Sequence, residues 1–146
     1  FLCNVVTNQI NLNKIEFKGT SPKAVEKPDF LVSDDPWFRP VDSKLGPDGA
    51  LYIADFYNKI IGHYEVDLKH PGRDRTRGRI WRIVYKGEGA TEAKHPGDLT
   101  GKKMEDVTKL MDSKNLTTRT LATHELIRRL LDGEKIAIND IELSKE

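Results

Sequence analysis

Long apolar runs are missing from this chain of 146 residues. A bilayer-spanning helix needs about 20 consecutive apolar residues, and no stretch approaches that. Cysteine is nearly missing too. The single thiol, Cys3, excludes an internal disulfide and stands in an apolar stretch, the setting of a buried and inert side chain. Charge of one sign is also lacking. With 24 Lys and Arg against 23 Asp and Glu, the net of +1 supplies no global field for nucleic acid or an anionic surface. No leader is visible. Phe1 stands inside a strand-like segment and Ile141–Glu146 read as an element just beginning, so both ends are expected to be cuts in a longer protein.

What is present is surface-rich material, 37% apolar and 32% charged, long enough to bury a core. Phe1–Ile10 (FLCNVVTNQI) and Leu51–Ile60 (LYIADFYNKI) are rough copies about fifty residues apart. Each is an apolar strand that runs into a short polar turn and leaves on isoleucine. Val41, Ser43 and Leu45 alternate with Asp42 and Lys44, the period of a half-buried strand. Gly46-Pro47-Asp48-Gly49 supplies a turn, because proline presets φ and the Asp-Gly pair tolerates positive φ. Ala50–Ala54 is apolar on both faces and predicts a central strand ending at Asp55. Arg79–Tyr85 predicts a third strand, with Phe17 or Phe30–Val32 as a fourth of the same sheet. Asn58–Gly78 mixes aromatics with paired charges and reads as an ordered insertion.

At Lys86 the character changes. Residues 87–98 read as a linker of glycine, proline and charge, and after them the period becomes helical. Met104, Val107, Leu110 and Met111 form one apolar stripe; Ala122, Leu126 and Leu130, flanked by Leu121 and Ile127, form another. Asp112–Leu116 separates the two helices, Thr117 or Thr118 is the expected cap, and Gly133 the expected stop. Ile136, Ile138 and Ile141 are expected to begin further helices, as in an α-solenoid.

The stretches Ser33–Val66 (SDDPWFRPVDSKLGPDGALYIADFYNKIIGHYEV) and His70–Val84 (HPGRDRTRGRIWRIV) resemble the membrane-bound dehydrogenase proteins typical of planctomycetes and their relatives. More broadly, RPVD, GPDGALYIAD and GRIWRI are similar to the glucose/sorbosone dehydrogenase blade. The resemblance implies a partial β-propeller, the last blades of a six-bladed ring over residues 1–86, followed by a HEAT-like helical hairpin over 99–146. It implies pyrroloquinoline quinone and calcium as cofactors and a periplasmic or exported location. The implied partners are a sugar or alcohol substrate, the remaining blades and helical repeats of the full-length protein, and a cytochrome module, with no nucleic acid. Cys-x-x-Cys-His does not occur, so haem c would be attached outside this chain.

Several residues could carry such chemistry, each beside a plainer reading. Asp34, Asp35, Asp42 and Asp55 lie near strand ends, where loop carboxylates suit calcium or simply close turns; Asp55 is the metal candidate. Arg39 could grip an anionic cofactor bidentately or pair with Asp35 or Asp42. His63 is the candidate catalytic base, oriented by Glu65 or Asp67. Arg73 and Arg75 form an anion clamp for the cofactor, or else Asp74 neutralises them. His70, His95 and His124 have no partner at metal-site spacing. The leading expectation is a fragment of a quinoprotein-type dehydrogenase. The alternatives are a non-catalytic binding module for protein or polysaccharide, and a calcium-dependent lactonase-like hydrolase.

Overall fold

The computed structural model of the chain describes residues 1–62, 64–90 and 94–134. Two compact units emerge: Phe1–Lys44 with Leu51–Ile83, and Leu45–Ala50 with the residues from Val84 on.

The first unit holds two three-stranded antiparallel sheets. Strands β1 (Leu2–Asn4), β2 (Gln9–Lys18) and β3 (Ser21–Val32) lie in the order β1-β2-β3. Strands β4 (Pro40–Leu45), β5 (Leu51–Asp55) and β6 (Arg79–Ile83) lie in the order β4-β5-β6. In the first sheet, β2 and β3 form a long hairpin closed at Lys18↔Ser21, where Gly19 takes φ +62, a conformation that L side chains resist. The pairing is irregular between Ile10 and Leu12, where β3 spends four residues against two on β2. Ile10, Phe38, Pro40 and Ile53 are the buried apolar residues among those described in this unit. Cys3 is half-buried, and that burial pushes its thiol above the ordinary range.

The second unit is built on α1 (Met104–Lys109), a 3-10 turn (Leu110–Asp112) and α2 (Leu116–Leu131). Val107, Ala122 and Leu126 make its core, with Met104, Leu110 and Met111 packed against them. Asn115 caps α2, accepting from the amides of Thr117 (2.9 Å) and Thr118 (3.3 Å), so the cap lies ahead of the expected threonines. The Asn115 Nδ2 also donates to the carbonyls of Gly46 (2.9 Å) and Pro47 (3.2 Å), tying the Gly46–Gly49 turn to the helix. Gly133 (φ +89) ends α2, and the amide of Glu134 donates to the carbonyl of Arg129. Arg129 is buried, pairs with Glu125 at 2.7 Å and donates to the carbonyls of Leu99, Thr100 and Lys102. The side-chain hydrogen bonds from Arg128 and Arg129 hold the Glu125 carboxyl down to about 2.

The propeller and HEAT expectations are corrected by this architecture. Among the described residues the sheets are open and separate, and no ring closes. The repeat that suggested a ring is a local likeness. Its first copy supplies the three-residue edge strand β1, and its second the central strand β5. What the copies share is an apolar strand followed by a left-handed residue, Asn8 (φ 58) in one and Tyr57 (φ 51) in the other. Phe17 and Phe30–Val32 belong to the other sheet, not to a fourth strand beside β4–β6. The helical segment is not a HEAT-type hairpin. Its α1 has six residues and passes straight into a 3-10 turn, too short to line a repeat. Ile136, Ile138 and Ile141 lie outside the described residues.

Candidate functional site: a carboxylate hub beneath an arginine-stapled loop

Asp55 ends β5 directly opposite Arg79 on β6. Side chains two apart on a strand share a face, so Arg79 and Trp81 both reach the same carboxylate. Oδ2 accepts from Arg79 Nε at 2.7 Å and from Trp81 Nε1 at 2.9 Å. Oδ1 accepts from the backbone amides of Arg39 (2.8 Å) and Tyr57 (2.9 Å). The Asp55 side chain is fully buried. Burial pushes its pKa up, but the amide of Arg39, the Trp81 indole, the amide of Tyr57 and the Arg79 guanidinium outweigh that and leave it below the usual carboxylate range. Arg79 then extends Nη1 to Asp35 Oδ2 at 2.8 Å. The amide of Trp37, followed by Arg79, lowers the Asp35 pKa as well.

An aromatic stack lies over this network. Trp37 stacks on Tyr57 at 5.3 Å between centroids, and the Arg79 guanidinium sits 4.2 Å from the Tyr57 ring and 5.1 Å from the Trp81 ring. Asp35 is held in its own turn, accepting from the Trp37 amide at 2.9 Å. Asp42 pairs with Lys44 at 3.2 Å on the surface and takes no part. Of the four strand-end aspartates, Arg79 links two, Asp35 and Asp55.

The Arg39 guanidinium pairs with neither Asp35 nor Asp42, the partners expected for it. It is buried, with Nε donating to the carbonyl of Asn58 (2.9 Å) and Nη2 to that of Lys59 (3.0 Å). Its Nη1 is buried without a hydrogen-bond partner among the described residues, as is Nη2 of Arg79. The loop above is fastened from within. Arg73 donates to the carbonyls of Asp67 (3.1 Å), Val66 (3.0 Å) and Gly62; Arg75 donates to that of Leu68 (2.6 Å). Asn58 Nδ2 reaches the carbonyl of Asp74 at 3.1 Å, and Asp74 pairs with Arg77 at 2.6 Å. Asp74 therefore turns toward Arg77, while Arg73 and Arg75 act as staples on backbone oxygens. His63 lies outside the described residues.

A recurrent signal went unread in the sequence: His-Pro-Gly occurs at His70–Gly72 and at His95–Gly97. In both, the histidine Nδ1 accepts from the glycine amide two residues on, at 3.0 Å and 2.9 Å. These imidazoles close turns. Also unforeseen is a groove of about 250 Å³ lined by Leu31, Val32, Ser33, Phe38, Trp81 and Ile83. Phe38 and Trp81 meet edge-on there, with ring centroids 6.4 Å apart.

Asp55 does not fit a metal ligand, because N–H donors already meet both its oxygens. Among the described residues no group of three or more His, Cys, Asp or Glu is placed to hold a metal ion. Arg39 does fit an anionic group, since among the described residues its buried charge has no carboxylate partner and one nitrogen is unmatched. No helix among the described residues is long and apolar enough to cross a membrane. No curated protein and no solved structure matches the chain. One family model, the domain of unknown function DUF7133, matches residues 1–87, more than half of the 146, and the chain belongs to that family.

Proposed function

We propose that this chain is the anion-anchoring part of a quinoprotein-type sugar or alcohol dehydrogenase, with its haem module carried outside these residues. The observation that supports the reading is Arg39: a buried guanidinium gripped by two loop carbonyls, with Nη1 unmatched and, among the described residues, no carboxylate partner. Burying such a charge costs several kcal/mol unless an anion or further acceptors compensate. A polyacidic quinone such as pyrroloquinoline quinone carries carboxylates of the required shape. When bound, the quinone supplies the electron acceptor for alcohol oxidation; Arg39 holds one of its carboxylates. The carbonyls of Asn58 and Lys59 cover the guanidinium, so the loop must yield for a ligand to reach it. His63 follows four residues after Lys59 and remains the proposed proton acceptor. Calcium has no part in this reading, because Asp55 is already saturated.

The test is equilibrium binding of pyrroloquinoline quinone to the chain, followed by dye reduction with sugars and alcohols. Binding that weakens at least ~10-fold in Arg39→Gln and recovers partly in Arg39→Lys supports the reading. Equal binding by wild type and Arg39→Gln, or no binding, overturns it.

A second reading, a non-catalytic module that binds polysaccharide, is favoured by Trp81. The residue is 43% exposed and lines the groove while Asp55 fixes its indole nitrogen, a rigid platform for a sugar face. Quenching of tryptophan fluorescence by soluble glucans, absent in Trp81→Phe, would favour it.

A further inference from the structure

The turn between β4 and β5 spends its amides on itself and offers its carbonyls outward. The amide of Gly46 donates to the carbonyl of Ala50 (2.7 Å), that of Gly49 to the carbonyl of Gly46 (3.0 Å), and that of Ala50 to Asp48 Oδ1 (3.1 Å). Pro47 has no N–H to give. Three successive carbonyls then accept from the start of α2, which belongs to the same compact unit as the turn. Thr117 Oγ1 donates to Leu45 at 2.5 Å and Thr118 Oγ1 to Pro47 at 3.1 Å. Asn115 Nδ2 donates to Gly46 at 2.9 Å and to Pro47 at 3.2 Å. Asn115 does this with the same planar amide whose Oδ1 caps the helix, accepting from the amides of Thr117 and Thr118. Those two acceptances exist only while the first turn of α2 is formed.

We infer that Asn115 is a latch: the start of α2 and the β4–β5 turn order and loosen together, with Thr117 and Thr118 as its further bolts. Capping points Nδ2 at the turn, because oxygen and nitrogen of one amide cannot turn independently. The turn carbonyls in return hold the amide in its capping orientation. The effect reaches beyond the turn through the chain itself. Strand β5 leaves the turn at Leu51 and ends on Asp55, so the latch fixes the near end of the strand that carries the carboxylate hub. The family match ends at residue 87, so a turn inside the matched segment takes its donors from beyond it. The latch involves no ligand and does not depend on the quinone reading.

Hydrogen–deuterium exchange of the full chain tests the inference. Asn115→Asp keeps a capping oxygen but has no N–H to donate. The amides of Gly46 and Gly49 should then exchange at least ~10-fold faster, while those from Ala122 to Leu131 keep their wild-type rates. The reverse direction is reached at Gly49, which has φ +82 and where a Cβ would meet Asn115 Nδ2 at 3.8 Å, an ordinary contact. Gly49→Ala therefore strains the turn without striking the latch, and should speed exchange at Thr117, Thr118 and Arg119 by ~3-fold or more. Thr118→Val is a milder break of similar shape that should loosen the turn, and Thr118→Ser should restore it. Turn amides indifferent to both Asn115→Asp and Thr118→Val overturn the inference. So does a Gly49→Ala chain whose turn loosens while the start of α2 keeps its wild-type rates.

Discussion

The two sheets of the first unit have the same number of strands and the same simple order, yet they are held by different means. The sheet of β4–β6 is short and tied at one end by a buried carboxylate that gathers donors from β6, from the approach to β4 and from Tyr57, two residues after β5. The sheet of β1–β3 has the longer strands and only Ile10 fully buried on its inner face. Its hairpin runs out with exposed side chains on both sides. Strand length is therefore no guide to where the stability lies. Backbone pairing contributes modestly per bond, whereas a saturated buried charge becomes a severe penalty once any partner is removed.

Mutations can break this comparison in order of size. Asp55→Ala removes one acceptor group from four donors and leaves Arg79 half-paired, so urea unfolding should show a loss of about 3–5 kcal/mol. A loss under ~1 kcal/mol would place the strength of this unit elsewhere. Arg79→Lys keeps the charge but loses the planar fork that joins Asp55 to Asp35 and stacks on Tyr57, and should cost about 2 kcal/mol.

Acid sharpens the same contrast. Asp35 and Asp55 have lowered folded-state pKa values, so they stabilise the fold above the unfolded carboxylate range, near pH 4, and that contribution is lost as pH falls through the folded values. In the helical unit the window for Glu125 runs from its ordinary 4.5 down to about 2. Tryptophan fluorescence and helical circular dichroism should therefore both hold at neutral pH and decay only below about pH 4. Decay beginning near pH 6 would contradict the hub. The smallest effect is expected at Phe17. Phe17 is exposed, so Phe17→Ser should shift the urea midpoint by no more than the equivalent of about 0.5 kcal/mol.

Much of the β4–β6 sheet was legible because its signals are local. Alternation over Val41–Leu45, the Gly-Pro-Asp-Gly turn and the apolar run to Ala54 need only neighbouring residues to be read. The β2–β3 hairpin was not legible for the same reason. Four lysines and Glu16 on one side of the hairpin, Glu26 on the other and prolines at 22 and 28 mask the alternation of strands that stay largely exposed. At the site, Arg39 and Asp55 both stood out in sequence, but their partners did not. Arg39 was expected beside Asp35 or Asp42, and it is Arg79, more than twenty residues beyond Asp55, that holds the carboxylates. The family-like motif DDPWFRPVD contributes largely to this internal network. Asp35 fixes a turn, Trp37 stacks, Phe38 and Pro40 are buried, and Arg39 grips a loop.

The amino-acid order alone determined where β4, β5 and β6 run and where the helical segment lies, since those choices rest on periodicity and φ preferences within a few residues. Tertiary structure alone decided which charges meet and which sheet the long hairpin strands join. Pairing of that kind depends on distances between residues far apart in the chain, and no local pattern encodes them.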